Sequence, residues 1–208
     1  EPAGSIEVEA RARDAVLAAV RAARRCSEGH ATLGADGRWE VRGDPVDAAI
    51  GVLAVRAGID VATEERDAPR LAAHPFDPHR RRMSAILDVG AGAELVVKGA
   101  PEAVLERCTV APGASPGLPG GQDVHAALDE MTEAGRRVLA IARRSIGRDE
   151  IGVPADAVER DLELLALVAF EDPPRDGTRE AIARCRDAGI AIAMLTGDHP
   201  RTARAIAG

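Results

Sequence analysis

The stretch "HPFDPHRRRM", residues 74–83, sets Phe76 four residues before three consecutive arginines, Arg80, Arg81 and Arg82. Rings are scarce here: the 208 residues include two phenylalanines, one tryptophan and no tyrosine. A core phenylalanine would sit among aliphatic neighbours, whereas these neighbours are cationic. The combination suits a flat apolar group lying on the ring and an anionic group held by the cations. Taken alone, Phe76 reads more readily as a core residue than as a stacking platform, and three arginines alone read as a solvated face. A third element shifts the balance. The runs "RRMSAILDV" and "AELVVKG" are β-rich and joined by a Gly-rich turn, so a hairpin is expected. Its return strand would bring Lys98 back near Arg82 and Ser84, a few residues from Phe76, so that the four converge on one patch. Gly99, directly after Lys98, removes a side chain where a ligand could approach the backbone.

The elements that must hold this patch follow from pattern and punctuation. An Ala/Arg-rich amphipathic helix is expected over residues 8–27, then a turn around Asp36-Gly37 leading into a short strand. Asp44-Pro45 opens a second helix, "DPVDAAIGVLAVRAG", with Pro in its first turn and Gly58 just past its end. Pro101-Glu102 opens a short helix that runs to Cys108, and residues 111–121, "APGASPGLPGG", form a Pro/Gly loop. A helix over 122–134, stopped by Gly135, precedes the strand "RRVLAIARR". The apolar run "LELLALVAF" is expected as a strand buried on both faces. At "EDPPRDG" two prolines fix the backbone and mark a boundary. Beyond it come a helix, Gly189, a strand over 190–195 and the loop "TGDHP", the start of an α/β unit with a polar loop at the strand's C-terminal end, where ligands bind in open α/β sheets. One strand cannot make a sheet, so this part reads as incomplete. Its bare apolar edge would invite pairing with a second copy, a fragment dimer through the 190–195 strand.

Composition excludes several classes. A net charge of −7 gives no global field for nucleic acid or an anionic membrane, so any anion site is local. Cys26, Cys108 and Cys185 lie far apart without partners at metal-ligand spacing, which implies reduced structural thiols, no disulfide and no metal site. The five histidines show no ligand spacing. No apolar run approaches the roughly 18 residues that span a bilayer, so the chain is expected to be soluble, and both ends read as cuts inside something longer.

Six stretches in order, "GDPVDAA" (43–49), "FDPHRRRM" (76–83), "KGAPE" (98–102), "GRRVLAIA" (135–142), "EDPPRDG" (171–177) and "MLTGDHPRTARAIA" (194–207), resemble the P-type cation-transporting ATPases over nearly the whole chain. The likeness is to the pumps for calcium, sodium/potassium, magnesium or protons. It implies an α+β nucleotide-binding domain over residues 1–170, an antiparallel sheet flanked by helices, a hinge over 171–175, and a partial phosphorylation domain of the haloacid dehalogenase type over 176–208. It further implies ATP or ADP as ligand, with Phe76 stacking on adenine, Asp47 near the adenine amino group, Lys98, Met83 and Gly99 lining the pocket, Leu139 as an apolar wall, and Arg81 and Arg137 near the phosphates. Asp172, Pro173, Pro174 and Arg175 would form the hinge, and Thr196, Gly197 and Asp198 the loop that meets the γ-phosphate. Pro78 departs from the pattern, since some relatives carry arginine there.

Plainer readings stand beside these. Asp47 suits a helix first turn by its charge alone, Arg137 suits an edge strand that discourages pairing, and Asp198 suits an N-cap. No "DKTGT" and no "GDGxND" occur, so the phosphorylated aspartate and the Mg2+ ligands are expected outside this chain. The resemblance therefore implies an ATP-binding piece of an ion pump, inactive alone, at the cytoplasmic face of a membrane, with transmembrane and actuator domains as partners in the same polypeptide. Two alternatives are a free-standing haloacid dehalogenase-type phosphohydrolase, whose DxDx(T/V) nucleophile loop is not found here, and a non-catalytic interaction module.

Overall fold

The computed structural model describes residues 4–33, 39–109, 123–171 and 177–195. It is an α+β structure with a two-stranded and a five-stranded sheet. The chain divides into two compact units, one formed by Glu1–Val124 with Leu139–Val168 and the other by His125–Val138 with Ala169–Gly208.

In the first unit, helix α1 (Arg13–Arg25) follows a single 3-10 turn and leads to the hairpin of β1 (His30–Leu33) and β2 (Trp39–Arg42). The helix begins five residues later than its composition promised. Helix α2 (Pro45–Arg56) is built as the sequence indicates. The Asp44 carboxylate accepts from the Val46 and Asp47 amides, Pro45 occupies the first turn, and Gly58 at φ 74° lets the Ile59 amide reach the Ala54 carbonyl. Capping therefore falls to Asp44 and leaves the Asp47 side chain for another partner. Helix α3 (Val61–Asp67), capped by Asp60, was not foreseen.

The large sheet has the order β3 (Arg70–Asp77), β4 (Arg82–Asp88), β5 (Ala93–Gly99), β6 (Arg137–Ile146) and β7 (Glu163–Phe170). Strands β4 and β5 form the expected antiparallel hairpin, with Met83 opposite Lys98 and Arg82 opposite Gly99. Both are covered on both faces, which is why their sequences lack clean alternation. One face, carrying Ile86, Leu95, Val97, Ala140 and Ala142, packs on Val104 and Leu105 of α4 (Pro101–Leu105), Val158 of α6 (Ala155–Val158) and Leu162. The other face, carrying Met83, Ala85, Val96 and Lys98, lies toward α1, which touches β5. Helices α1 and α2 close on each other through Val20, Ala54 and Ile59.

Strand β7 corrects an expectation. Only Leu164 and Leu165 are buried and its later residues are half-exposed, because it ends the strand order and has, among the described residues, a neighbour on one side only.

The second unit holds most of helix α5 (Val124–Glu133), the start of β6, the end of β7 and helix α7 (Thr178–Asp187). Gly189, at φ 72°, ends α7. Residues 190–195 are not the expected strand. They have no ladder partner among the described residues, and Ile190, Ile192, Met194 and Leu195 are exposed. A parallel strand is stabilised by neighbours on both sides, and none is described for this segment. The expected loop over 111–121, the hinge residues Asp172, Pro173, Pro174 and Arg175, and Thr196, Gly197 and Asp198 lie outside the described residues.

Candidate functional site

Phe76 stands near the end of edge strand β3 and is 60% exposed. The β3–β4 register shifts between the His74–Ser84 and Asp77–Arg82 pairs, so a bulge falls at Phe76. The turn that follows is held from inside. The Asp77 carboxylate accepts from the amides of His79 at 2.7 Å and Arg80 at 3.0 Å, and the Arg81 amide donates to the Asp77 carbonyl at 2.7 Å. Those amide bonds, the one from Arg80 first, hold the Asp77 carboxyl below the usual carboxylate range. The cap is therefore complete above that ordinary range and is lost as pH falls through the lowered value.

The three arginines part company at this turn. Arg80 and Arg82 turn inward to Glu159, which is fully buried. Arg81 adopts φ 51°, a conformation most side chains avoid, and points outward with Glu102 at 3.6 Å. Both partners of that pair are exposed, so it is a weak tether.

Lys98 lies on the opposite face from Arg82 and Ser84. The hairpin register places Met83, not those two, across from it, so the expected convergence of Phe76, Arg82, Ser84 and Lys98 on one patch does not occur. Alternation sends odd and even positions of β4 to opposite faces: Arg82 and Ser84 go to Glu159, and Met83 and Lys98 to the helices. Lys98 is 3% exposed and forms an ion pair with the buried Asp47. Its ammonium also donates to the Ser27 hydroxyl at 2.9 Å, and Asp47 accepts from the Glu28 amide at 2.9 Å. An ammonium has three donors, and two are used among the described residues. Leu139, in β6, lies on the Lys98 face, two residues before Ile141, which pairs with Lys98. Arg137 opens β6 in the second unit and is exposed, and its neighbour Arg136 lies 3.6 Å from Glu171.

Two glycines are explained by the chain's own backbone. A Cβ on Gly99 would lie 2.5 Å from the Arg81 carbonyl oxygen, so the space read as room for a ligand is filled by the β3–β4 turn. A Cβ on Gly29 would lie 2.5 Å from the Asp44 carbonyl oxygen. Only glycine lets this segment approach the start of α2 closely enough for Glu28 to bind Asp47.

Sequence reading missed Glu159 and Ser27, and it named Cys26 as a reduced structural thiol without placing it beside Lys98 and Met83. Ser27 and Cys26 sit just after α1, and the Cys26 thiol, fully buried, donates to the Met83 carbonyl at 3.7 Å. Burial pushes this thiol up from 9.0 to about 12, with Lys98 opposing the rise. The neutral thiol's contribution is fully present below 9.0 and is lost as pH rises toward 12. Cys26 is therefore expected to resist a thiol-specific reagent in the native chain at pH 8 and to react only on unfolding; labelling before global unfolding, located by peptide mass spectrometry, would contradict this burial.

A separate hollow of about 500 Å³ lies among α1, α3 and β3, lined by Arg24, Arg25, Glu64, Glu65 and Arg70. Its charges already pair within the chain, Arg25 with Glu64 at 2.7 Å and Arg24 with Glu65 at 3.0 Å. Among the described residues no cluster of His, Cys, Asp or Glu has metal-binding geometry, and no helix is long and apolar enough to cross a membrane.

Comparison with known proteins supplies the context. A family model described as P-type ATPase, cytoplasmic domain N, matches residues 15–177. The sodium/potassium exporting P-type ATPase cta3 of Schizosaccharomyces pombe is 36% identical over 174 residues, covering 82% of this chain and 17% of that protein. The probable cation-transporting ATPase F of Mycobacterium tuberculosis is 34% identical over 184 residues, 88% of this chain and 20% of that protein. The calcium-transporting ATPase of Bacillus subtilis is 33% identical over 177 residues, covering 83% and 20%. The chain thus spans about a fifth of the length of these relatives. With an α+β fold whose described elements fall largely within the matched residues, the chain belongs to the P-type ATPase family and carries its cytoplasmic N domain.

Proposed function

We propose that this chain binds ATP and positions it for phosphoryl transfer to an aspartate that the chain does not carry, as the nucleotide-binding part of a cation pump. The observation that carries the reading is the pairing of an exposed ring, Phe76, with the outward Arg81 on one short turn. An exposed ring and an outward cation on one short turn suit a base and its phosphates. In this reading adenine stacks on Phe76, Met83 and Leu139 supply apolar wall, and the buried Lys98–Asp47 pair offers its remaining donor and acceptor capacity to the base. Arg81 faces the phosphates; for Arg137 the family resemblance alone implies the same role. The hinge over 171–175 swings the loaded nucleotide toward the nucleophile, and Thr196, Gly197 and Asp198 meet the γ-phosphate. Covalent capture of the phosphoryl group then separates transfer from hydrolysis, and Mg2+ is held by ligands outside this chain.

Because the nucleophile and metal ligands lie outside this chain and the Thr196–Asp198 loop belongs to a phosphorylation domain present only in part, ATP and ADP are expected to bind this chain with similar affinity, in the range of roughly 0.1–1 mM. Added Mg2+ should change this little. Calorimetric titration with each nucleotide checks the expectation. Phosphate release above background that a point mutation in this chain abolishes would contradict it and favour the phosphohydrolase reading.

A further inference from the structure

One buried cluster has no part in ligand contact. Arg80 Nη1 donates to both oxygens of Glu159 at 2.7 and 2.9 Å, Arg82 Nε donates at 2.6 Å and Ser84 Oγ at 2.8 Å. A carboxylate is held away from water only where its charge and lone pairs are matched, and this one is matched by two guanidinium groups and a hydroxyl. Arg82 also reaches Asp156 at 2.8 Å. Arg80 extends the network in a different direction: its Nη2 donates to the Pro75 carbonyl at 2.9 Å. That carbonyl belongs to the peptide that joins Pro75 to Phe76. On the far side of the turn, Arg82 is the first residue of β4, and the Ala100 amide donates to the Arg81 carbonyl at 2.9 Å.

The bulge makes this network necessary. Between the His74–Ser84 and Asp77–Arg82 pairs the ladder does not fix the backbone, and Phe76 lies in that gap with its ring exposed. We propose that Glu159 is a positioning residue of the nucleotide site. Through Arg80 and Arg82 it fixes both ends of the 75–82 turn, and thereby the orientation of Phe76 and the outward course of Arg81, without touching the ligand. This rests on the nucleotide reading above. A purely structural role, neutralising two inward arginines, makes a different claim: loss of melting temperature with no loss of affinity in molecules that remain folded.

Glu159→Gln strands two arginines and puts the fold at risk, so Arg80→Ala is the working variant. It leaves Arg82 and Ser84 on Glu159 and removes Arg80's bonds both to Glu159 and to the Pro75 carbonyl. Arg80→Lys keeps the charge but lacks the fork that spans Glu159 and Pro75 together. The test is carried out on the whole chain, well below each variant's melting temperature, with adenosine and ATP as probes and amide relaxation of residues 74–82 as an independent readout. In Arg80→Ala, affinity for both probes should fall together by about fivefold or more, and these amides should become more mobile. Arg80→Lys should regain melting temperature without regaining affinity. Parent-like affinity in folded Arg80→Ala, alongside clear loss in Phe76→Ala, overturns the positioning role and leaves the nucleotide reading standing. Absence of saturable ATP binding in the parent overturns both.

Discussion

Replacing Phe76 by alanine is expected to remove most of the ATP affinity while barely moving the melting temperature. The ring is 60% exposed, so folding gains little from it. Substitutions at such surface positions usually change stability by no more than about 0.5 kcal/mol. Stacking of a base on an aromatic ring contributes about 1–3 kcal/mol, and a loss of that size from a millimolar or submillimolar site leaves almost no measurable binding. The combination is diagnostic, because a core residue would show the reverse pattern. Calorimetry with ATP and a thermal melt on the same sample check both halves. Unchanged affinity in Phe76→Ala would remove the stacking platform from the account.

Lys98→Met is expected to be the most destabilising single change at the site. It removes the partner of Asp47, whose carboxylate then stays buried with, among the described residues, the Glu28 amide as its donor from outside its own helix. Breaking a buried pair by deleting one member costs about 3–5 kcal/mol, whereas replacing both members by apolar residues is often close to neutral. Lys98→Met combined with Asp47→Leu should therefore recover most of the lost stability. Chemical denaturation of the two single variants and the double variant checks the cycle. Equal stability of Lys98→Met and the parent would mean that the pair is solvated, contrary to its burial. The cycle also separates fold from function: affinity that stays low in the restabilised double variant belongs to the nucleotide contact itself.

Local chemistry was the legible part of this chain. The Asp44-Pro45 start and Gly58 end of α2, the hairpin of β4 and β5, and the Pro101 start of α4 all follow from neighbours within a few residues, where caps and turn residues act. The family resemblance, drawn from six short motifs, agrees with the match over residues 15–177. Partnerships across the sequence were not legible. Nothing near Arg80 or Arg82 announces Glu159, almost 80 residues away, and the only hint was that three adjacent arginines need counter-charges somewhere. The faces of the hairpin were misjudged for a related reason: proximity along a ladder was read as convergence, although neighbouring residues on a strand point to opposite sides. Residues 190–195 have the apolar run of a buried strand, but a strand forms only with a partner to bond, and none is described for it.

In the proposed function, the turn carrying Phe76 and Arg81, together with the adjacent ends of β4 and β5, binds an adenine nucleotide. A two-dimensional amide NMR titration of the whole chain with ATP tests it most directly. Saturable shifts are expected at residues 75–84 and 96–99, with half-saturation at roughly 0.1–1 mM. Shifts confined to the hollow lined by Arg24, Arg25 and Arg70, or none at ATP concentrations about tenfold above that range, would contradict it.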